Sequence, residues 1–301
     1  EGVSLMLEPG VKVQINNDSY ILVKGELIAE GTSSNNITFD PFGKGIHFDV
    51  TATDYDSTSN TGCRIKYANI LNPTSGNFDP VMSDSWSSMH LVTGVFDNRP
   101  DSQVSISISN SIIEDTYMLF TGWGGKQINE KSYFVNNIFI GGDLEGDNAP
   151  NFLVKNNIFI NSSFGTTSFD FQNNILDGCN ISSFYNQLHS YGFTSQFYVF
   201  SNNYINTRIT RFDGGNFADL CPINFENNTY YCESGDNVTG TVNYFTGNNI
   251  TGGTGYKYVM DSSNDLNAEN NYWGTVSLDS VQNSLYDYND DFNLGVIDVD
   301  P

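Results

Sequence analysis

Short apolar stretches of the chain follow one pattern: two apolar residues two positions apart, an Asn-Asn pair, then another apolar couple. At Asn156-Asn157, Phe152 and Val154 precede the pair and Ile158-Phe159 follows it. A spacing of two places side chains on one face of a β-strand. From residue 136 on, the pairs recur with gaps of 20, 17, 29, 25, 21 and 22 residues, at Asn136-Asn137, Asn156-Asn157, Asn173-Asn174, Asn202-Asn203, Asn227-Asn228, Asn248-Asn249 and Asn270-Asn271.

Asparagine suits a corner between two strands, because it tolerates a left-handed backbone and its amide can bond nearby backbone. A repeat of roughly 20–25 residues fits one solenoid coil and lifts each pair about 4.8 Å above the last. Parallel crossovers are nearly always right-handed. The pattern therefore predicts an all-β fold, a single-stranded right-handed parallel β-helix of about ten coils. Stacked amides are expected to form an Asn ladder, for which the candidates are Asn136, Asn156, Asn173, Asn202, Asn227, Asn248 and Asn270.

The N-terminal end carries the first coils in this interpretation. Residues 1–40 contain short apolar strands separated by Gly10, Gly25 and Gly31, a pattern typical of strands joined by glycine turns. Val3 to Leu7 begins a strand with no helical cap before it. We therefore expect a bare sheet edge at this end.

The C-terminal end has a different pattern. Behind Ser277, a candidate N-cap, Leu278, Val281 and Leu285 have helical spacing, which predicts a short capping helix within 277–301. The whole chain, 1–301, is predicted to form one domain. Loops are expected where the gaps lengthen, near residues 72–103, 177–196 and 207–221.

Both ends resemble the right-handed parallel β-helix repeat proteins of archaeal and bacterial cell surfaces that are called adhesin-like. The segments Leu5–Val13, Leu22–Thr32 and Ile37–Phe39 resemble the opening of such proteins, and Asn270-Asn-Tyr-Trp-Gly-Thr275 resembles their terminal coil. The resemblance implies the fold. It leaves function open, because that family includes adhesins, sheath and surface-layer components, and polysaccharide-active enzymes.

Charge limits the partners. Twelve basic residues against 35 acidic ones give a net charge of −23, which repels nucleic acid and anionic membranes. No apolar run reaches the length of a transmembrane helix, so membrane insertion is not expected. The acidity and the Asn-x-Ser/Thr sequons point to an extracellular or cell-surface protein. Glycosylation is predicted at sequons Asn17, Asn36, Asn161, Asn180, Asn227, Asn237 and Asn249.

Two further features concern loops. Cys221 and Cys232 are close enough in the chain to form a disulfide, and two buried free thiols are the alternative. Near the C-terminus, four oxygen-bearing residues alternate like the first ligands of a calcium loop, although Phe292 stands where glycine is usual. The alternative is a polar turn, and calcium is the one cofactor that the sequence suggests. The four candidate ligands are Asp287, Asn289, Asp291 and Asn293.

No pattern predicts a catalytic site. Arg64-Ile-Lys66 matches a tripeptide of polygalacturonases, but it lies on a predicted strand and the companion motifs are absent. The best candidate group is Arg208, Arg211 and Asp213, for which a surface ion pair on a loop is the simpler explanation. Glycosidases need two carboxylates at a set separation, and sequence does not select a pair. The candidates are Glu114-Asp115, Asp143, Glu145, Asp147 and Asp170.

These observations favour a non-catalytic, extracellular structural or adhesive protein. An uncovered solenoid end is a template for another chain, so the expected partner is the protein itself, in a head-to-tail homopolymer such as a filament or sheath. The alternative is a carbohydrate-binding or polysaccharide-cleaving β-helix protein (a lyase or glycosidase) with cell-surface glycans as partners. Its contacts would be loop aromatics such as Trp86, Trp123 and Tyr117.

Overall fold

A computed structural model describes residues 2–73, 91–93, 104–121, 131–147, 152–167, 169–185, 198–206, 209–213, 223–232, 238–240, 242 and 244–300. The chain forms two compact units, Glu1–Ser162 and Ser163–Pro301. Both are built from short parallel strands. One five-residue helix is present among the described residues. The all-β, parallel β-helix-like architecture that the sequence predicts is therefore confirmed.

In the first unit, each coil contributes strands to parallel sheets, so neighbouring strands of a sheet come from successive coils. Ile108, for example, pairs with Phe134 of the next coil. The first sheet contains β1 (Ser4–Leu7), β4 (Glu26–Glu30), β7 (Arg64–Lys66), β10 (Ser107–Ser109), β13 (Ser132–Val135) and β16 (Phe152–Lys155). The second contains β2 (Lys12–Val13), β5 (Ile37–Phe39), β8 (Ala68–Ile70), β11 (Ile112–Glu114), β14 (Ile138–Ile140) and β17 (Ile158–Ile160). The third contains β3 (Ile21–Val23), β6 (Ile46–Phe48), β9 (Leu91–Thr93), β12 (Tyr117–Thr121) and β15 (Asp143–Asp147).

The second unit repeats this arrangement. Its first sheet contains β19 (Phe169–Gln172), β22 (Tyr198–Ser201), β25 (Ile223–Glu226) and β28 (Tyr244–Thr246), and its second β20 (Ile175–Asp177), β23 (Tyr204–Asn206), β26 (Thr229–Cys232) and β29 (Asn249–Gly252). Its third contains β18 (Ser163–Thr167), β21 (Asn180–Tyr185), β24 (Ile209–Asp213), β27 (Val238–Gly240), β30 (Tyr258–Val259) and β32 (Leu285–Tyr286). A small parallel sheet joins β31 (Leu266–Asn267) to β33 (Ile297–Asp298).

Strands of the third sheets lie in segments that the sequence predicts to be loops. β9 falls within 72–103, β21 within 177–196 and β24 within 207–221, so the loop prediction is wrong for these parts. Each strand pairs in parallel, β9 with β6, β21 with β18 and β24 with β21. The pairing register of β21 and of β24 is interrupted. β21 and β24, like β15 and β18, begin seven residues after the first asparagine of a pair, so the pairs also mark the start of these strands, whereas β9 follows no such pair.

The corner between the first and second sheets is made by the first asparagine of each pair. These residues adopt the left-handed conformation, with φ of 59° at Asn136 and 58° at Asn156, as the sequence analysis expects of asparagine. In one coil Gly247 occupies the corner, with φ of 68°. The structural equivalent of a pair there is Gly247-Asn248, and the assignment of Asn248-Asn249 as a pair is therefore wrong by one residue.

In each unit, a ladder of buried amides lies one residue later than predicted, on the second member of each pair. Asn228 shows the pattern. Its Oδ1 accepts the backbone N–H and the Nδ2–H of Asn203, both at 2.9 Å. Its own Nδ2 donates to the carbonyl of Phe200 at 2.9 Å and to Oδ1 of Asn248 at 3.1 Å. Its side-chain oxygen and nitrogen therefore both bond neighbouring coils. The column contains Asn137 and Asn157 in the first unit and Asn174, Asn203, Asn228, Asn248 and Asn271 in the second.

The predicted ladder residues have mixed positions. Asn156 Nδ2 donates to Asn136 Oδ1 at 3.1 Å, in an exposed bond. Asn248 belongs to the buried column. The remaining candidates occupy exposed left-handed corners: Asn173, Asn202, Asn227 and Asn270. Adjacent amides point to opposite sides of the coil, and the direction of the corner, which the sequence does not specify, decides which amide is buried.

A stack of aromatic rings follows the same coils in the second unit. The rings of Phe171, Phe200, Phe225 and Phe245 are nearly parallel, with successive centroids 5.1, 5.2 and 5.1 Å apart. Trp273 continues the stack at 5.6 Å from Phe245. All five side chains are buried, so aromatic packing and the amide column join the same successive strands.

The single described helix, α1 (Leu278–Gln282), begins where the sequence predicts. Ser277 is its N-cap, and the Ser277 hydroxyl accepts a hydrogen bond from the Ser280 N–H at 3.4 Å. Val281 of the helix and Leu285 of β32 are buried. The apolar spacing therefore marks the side of α1 that faces the protein.

Candidate functional site

The edge strand β1 presents apolar side chains to solvent. It pairs in parallel with β4, and within the described residues it has no other strand partner. Val3, Leu5 and Met6 are 73, 48 and 62 % exposed. An edge strand also offers unpaired backbone N–H and C=O groups. β1 therefore has both the apolar surface and the backbone groups that a further strand would use.

A cavity of about 220 Å³ lies beside this edge. Val3, Leu5, Leu22, Lys24 and Leu27 are among its lining residues. Leu22 is 42 % exposed, and Lys24 is an exposed residue that brings a positive charge to the lining. The cavity extends the apolar surface of β1 into a concave site.

A network of polar side chains fixes β1 against β4 and β7. Ser4 Oγ donates to Glu26 Oε2 at 2.6 Å, and the Gly62 N–H donates to Glu26 Oε1 at 2.9 Å. Arg64 Nε donates to Glu30 Oε1 at 2.8 Å and its Nη1 lies 3.5 Å from Glu26 Oε1. The hydrogen bond from Ser4, with those of Gly62 and Arg64, lowers the pKa of Glu26 although burial opposes the shift. Arg64 lies on β7, as the strand predicted for residues 64–66 requires. There it takes part in an ion-pair network.

The remaining acidic candidates are spread over several strands. Glu114 ends β11, and Asp115 follows it in a left-handed conformation with φ of 48°. Asp170 of β19 accepts the Val199 N–H at 3.2 Å, which gives it a role within the first sheet of the second unit. Strand β15 carries Asp143, Glu145 and Asp147. Strand β24 carries Arg211 and Asp213, and Arg208 lies outside the described residues.

The predicted calcium ligands form a turn that bonds its own backbone. Asp287 is buried; its Oδ1 accepts N–H and Nδ2–H of Asn289 at 2.9 and 3.1 Å, and its Oδ2 accepts the Ile297 N–H at 3.0 Å. Asp291 Oδ1 accepts both donors of Asn293 in the same way, at 3.0 and 2.8 Å. These are Asx turns. In the described part of the chain, no group of three His, Cys, Asp or Glu has metal-site geometry; calcium binding stays a prediction.

Most sequon asparagines lie on the surface. Asn36 is half-buried and donates to Asn69 Oδ1 at 3.4 Å. Asn237 lies outside the described residues. Exposure suits an acceptor of a bulky glycan, and glycosylation stays a prediction. The exposed sequon residues are Asn17, Asn161, Asn180, Asn227 and Asn249.

The cysteines fall into two groups. Cys63 and Cys179 are buried and form no disulfide, and burial raises the pKa of the Cys63 thiol to about 11. Such a thiol is a poor nucleophile at neutral pH. Cys232 lies on β26, while Cys221 is outside the described residues, so the disulfide between them stays a prediction.

A set of exposed tyrosines was missed by sequence reasoning. Tyr204, Tyr231 and Tyr272 are 47, 39 and 48 % exposed in the second unit. Tyr204 and Tyr272 each directly follow an asparagine pair, a regularity that places them on the outside of the second sheet. Of the loop aromatics proposed for carbohydrate contact, Tyr117 is half-buried on β12, and Trp86 and Trp123 lie outside the described residues.

No family model, curated protein or solved structure matches this chain. No helix in the described ranges is long and apolar enough to cross a lipid bilayer.

Proposed function

We propose that this chain is a non-catalytic, extracellular surface protein, structural or adhesive, which assembles end to end into a filament or sheath. The observation that carries the proposal is β1, an edge strand whose Val3, Leu5 and Met6 are largely exposed beside a cavity of about 220 Å³. An exposed, apolar strand edge is a template for pairing with another chain. In this proposal, a second copy of the chain supplies the segment that pairs with β1 and fills the cavity beside it.

Surface chemistry favours the C-terminal segment of that second copy as the partner. Val276, Leu278 and Phe292 of this segment are 98, 43 and 79 % exposed. The cavity beside β1 is mainly apolar, and its two charged residues, Lys24 and Glu26, have opposite signs. Apolar surface would therefore meet apolar surface.

The proposed protomer is a right-handed solenoid of about ten coils, with α1 covering the last coil. Support comes from the parallel register of every described strand pair, since parallel connections in one sheet are right-handed in nearly all cases. The buried Val281 and Leu285 support the capping role of α1. A contact between β1 of one copy and the C-terminal segment of another joins two different surfaces, and such head-to-tail contacts can repeat without closing.

The test uses the purified 301-residue chain, with and without added calcium. We expect sedimentation velocity to show concentration-dependent polymers and electron microscopy to show linear particles. Met6→Lys places a charge on the exposed edge and should abolish assembly, because a lysine at a strand edge opposes further pairing. Ile112→Lys is the matched control, since Ile112 is 38 % exposed on β11, which pairs with β8 on one side and β14 on the other.

Two results contradict the proposal. One is a chain that stays monomeric at every concentration, with or without calcium. The other is polymerisation that Met6→Lys leaves intact, which would place the contact elsewhere. Loss of assembly in both lysine variants would show a general effect of added charge rather than a role for β1.

A further inference from the structure

The outer face of the second sheet in the second unit carries aromatic and amide side chains in register. Ile175 pairs with Tyr204, Tyr204 with Thr229, and Thr229 with Asn249, so these residues form one column across successive strands. A bridge from Asn249 adds Tyr272 to the column. In the neighbouring column, the order is Asp177, Asn206, Tyr231 and Thr251.

Alternation along the strands directs both columns outward. The middle residues Leu176, Ile205, Tyr230 and Ile250 are buried, so their neighbours on either side face away from the core. Three tyrosines on this face are between 39 and 48 % exposed. Three strand separations lie between Tyr204 and Tyr272, a distance of about 14 Å. Tyr231 lies between them in the adjacent column, and we name this surface the tyrosine face.

We propose that the tyrosine face binds an extended neutral polysaccharide. A sugar ring has one face of C–H groups, which stacks on the electron-rich face of an aromatic ring, and a rim of hydroxyls that need hydrogen-bond partners. The tyrosines supply the rings. Thr229, Asn249 and Thr251 supply amide and hydroxyl groups between them.

The charge of the face selects a neutral ligand. Asp177 is the only residue with a charged side chain at neutral pH among the outward residues of β20, β23, β26 and β29. Its Oδ1 accepts a hydrogen bond of 2.7 Å from Asn206 Nδ2, so a neighbour on the same face already uses it. The outward residues of these four strands include no lysine or arginine, and Lys257, close to the end of β29, donates a hydrogen bond from its Nζ to the Gly252 carbonyl at 2.9 Å. A net charge of −23 repels polyanions.

The equivalent sheet of the first unit lacks this chemistry. Its corresponding outer column runs Lys12, Thr38, Asn69, Ile112, Ile138 and Ile158. Thr38 and Asn69 offer hydrogen-bonding groups, but this column contains no aromatic ring on which a sugar could stack. The two outer faces have the same arrangement of strands and differ in their side chains. Sugar binding is therefore assigned to the second unit alone.

Asn249, a sequon residue, lies within the tyrosine face between Thr229 and Tyr272. A glycan attached there would cover the neighbouring rings. Binding tests therefore use chain from a bacterial host that adds no N-glycan, and the Asn249→Gln variant reports on the amide itself.

The experiment measures retardation of the 301-residue chain in native gels containing a neutral polysaccharide, namely glucan, mannan, galactan or xylan, in separate arms. Calorimetry with the matching oligosaccharide gives the affinity of any arm that binds. We expect at least one neutral polymer to bind. Each of Tyr204→Ser, Tyr231→Ser and Tyr272→Ser should weaken that binding about three- to tenfold, and the triple variant should abolish it.

Tyr244→Ser is the matched control, because Tyr244 is equally exposed but lies on β28 of the first sheet; it should bind like wild type. Thermal unfolding of every variant should match wild type, since the substituted rings are largely exposed. Failure of all neutral polymers to bind overturns the proposal, as does wild-type binding by the triple variant. Retardation only by polygalacturonate or by polylysine would assign the surface to a charged partner and overturns it too.

Discussion

The two units build similar coils with different side chains. In the first unit, the inward column of the first sheet runs Ala29, Ile65, Ile108, Phe134 and Val154. In the second unit, the first-sheet strands contribute stacked phenylalanines, with centroids about 5 Å apart. Parallel coils therefore accept either a mixed or a uniform core column, provided that each buried side chain fills its layer.

The polar bonds between coils differ in the same way. Near β1 they are partly buried contacts of charged groups, such as Arg64 with Glu26 and Glu30. In the second unit they are buried neutral amides that bond from coil to coil. Ion pairs are screened by salt and are lost when the carboxylate is protonated, whereas hydrogen bonds between neutral amides are not. We therefore expect the second unit to resist salt and acid, and the N-terminal coils to respond to both.

The largest effect is expected from Phe225→Ala. This ring is fully buried between Phe200 and Phe245, and its removal should cost about 4 kcal/mol through lost burial and the cavity left behind. Urea unfolding followed by hydrogen exchange of individual segments measures the loss and its location. Exchange should accelerate in β22, β25 and β28.

The comparison variant is Ile108→Ala, in the mixed column of the first unit. Ile108 is fully buried, and its truncation should cost about 3 kcal/mol, with faster exchange confined to strands of the first unit. If Ile108→Ala destabilised as much as Phe225→Ala, the stack would add nothing beyond the burial of each ring.

Asn228→Ala tests the amide column. The substitution leaves the Asn203 N–H without its side-chain acceptor and the Phe200 carbonyl without its amide donor, which should cost about 3 kcal/mol. Asn227→Gly is the matched control one residue earlier. Asn227 is exposed at a φ of 54°, and Gly247 occupies the equivalent corner of a later coil, so this change should stay within about 0.5 kcal/mol. Equal losses in the two variants would refute the distinction between corner and column.

The asparagine pairs made the first two sheets predictable. Pattern and spacing located strands on both sides of each pair, because the corner needs a left-handed residue at a constant place. They did not show which amide is buried. Gly247 also satisfies the corner, so a search for Asn-Asn alone assigned Asn248 to the wrong position.

The third sheets were only partly predictable from the same signal. β21 and β24 begin seven residues after the first asparagine of a pair, but β9 follows no pair, and β21 and β24 pair with interruptions in register. The tyrosine face was not predictable from the sequence for a different reason. Tyr204, Tyr231 and Tyr272 come together through pairing of strands far apart in sequence, whereas the α1 N-cap Ser277 is a local signal and was found.

The smallest effect concerns acid at the N-terminal coils. The pKa of Glu26 is lowered in the folded chain, mainly by the Ser4 hydrogen bond, so folding is favoured by its charged form. This contribution is present at neutral pH, above the ordinary pKa of 4.5, and is lost as the pH falls through the lowered value. Glu26→Gln should therefore reduce the free energy of unfolding at pH 7 by about 1 kcal/mol or less. The difference from wild type should shrink in acid and in concentrated salt.

Urea unfolding of both proteins at pH 7 and pH 3, with hydrogen exchange to locate the change, measures this difference. Because wild type and variant are compared at the same pH, the contributions of their shared titratable groups to the free energy of unfolding cancel. The change should be confined to β1, β4 and β7, the strands joined by Ser4, Glu26 and Arg64. An acid response of equal size in the second unit, or a difference as large at pH 3 as at pH 7, would mean that the charge of Glu26 does not distinguish the N-terminal coils.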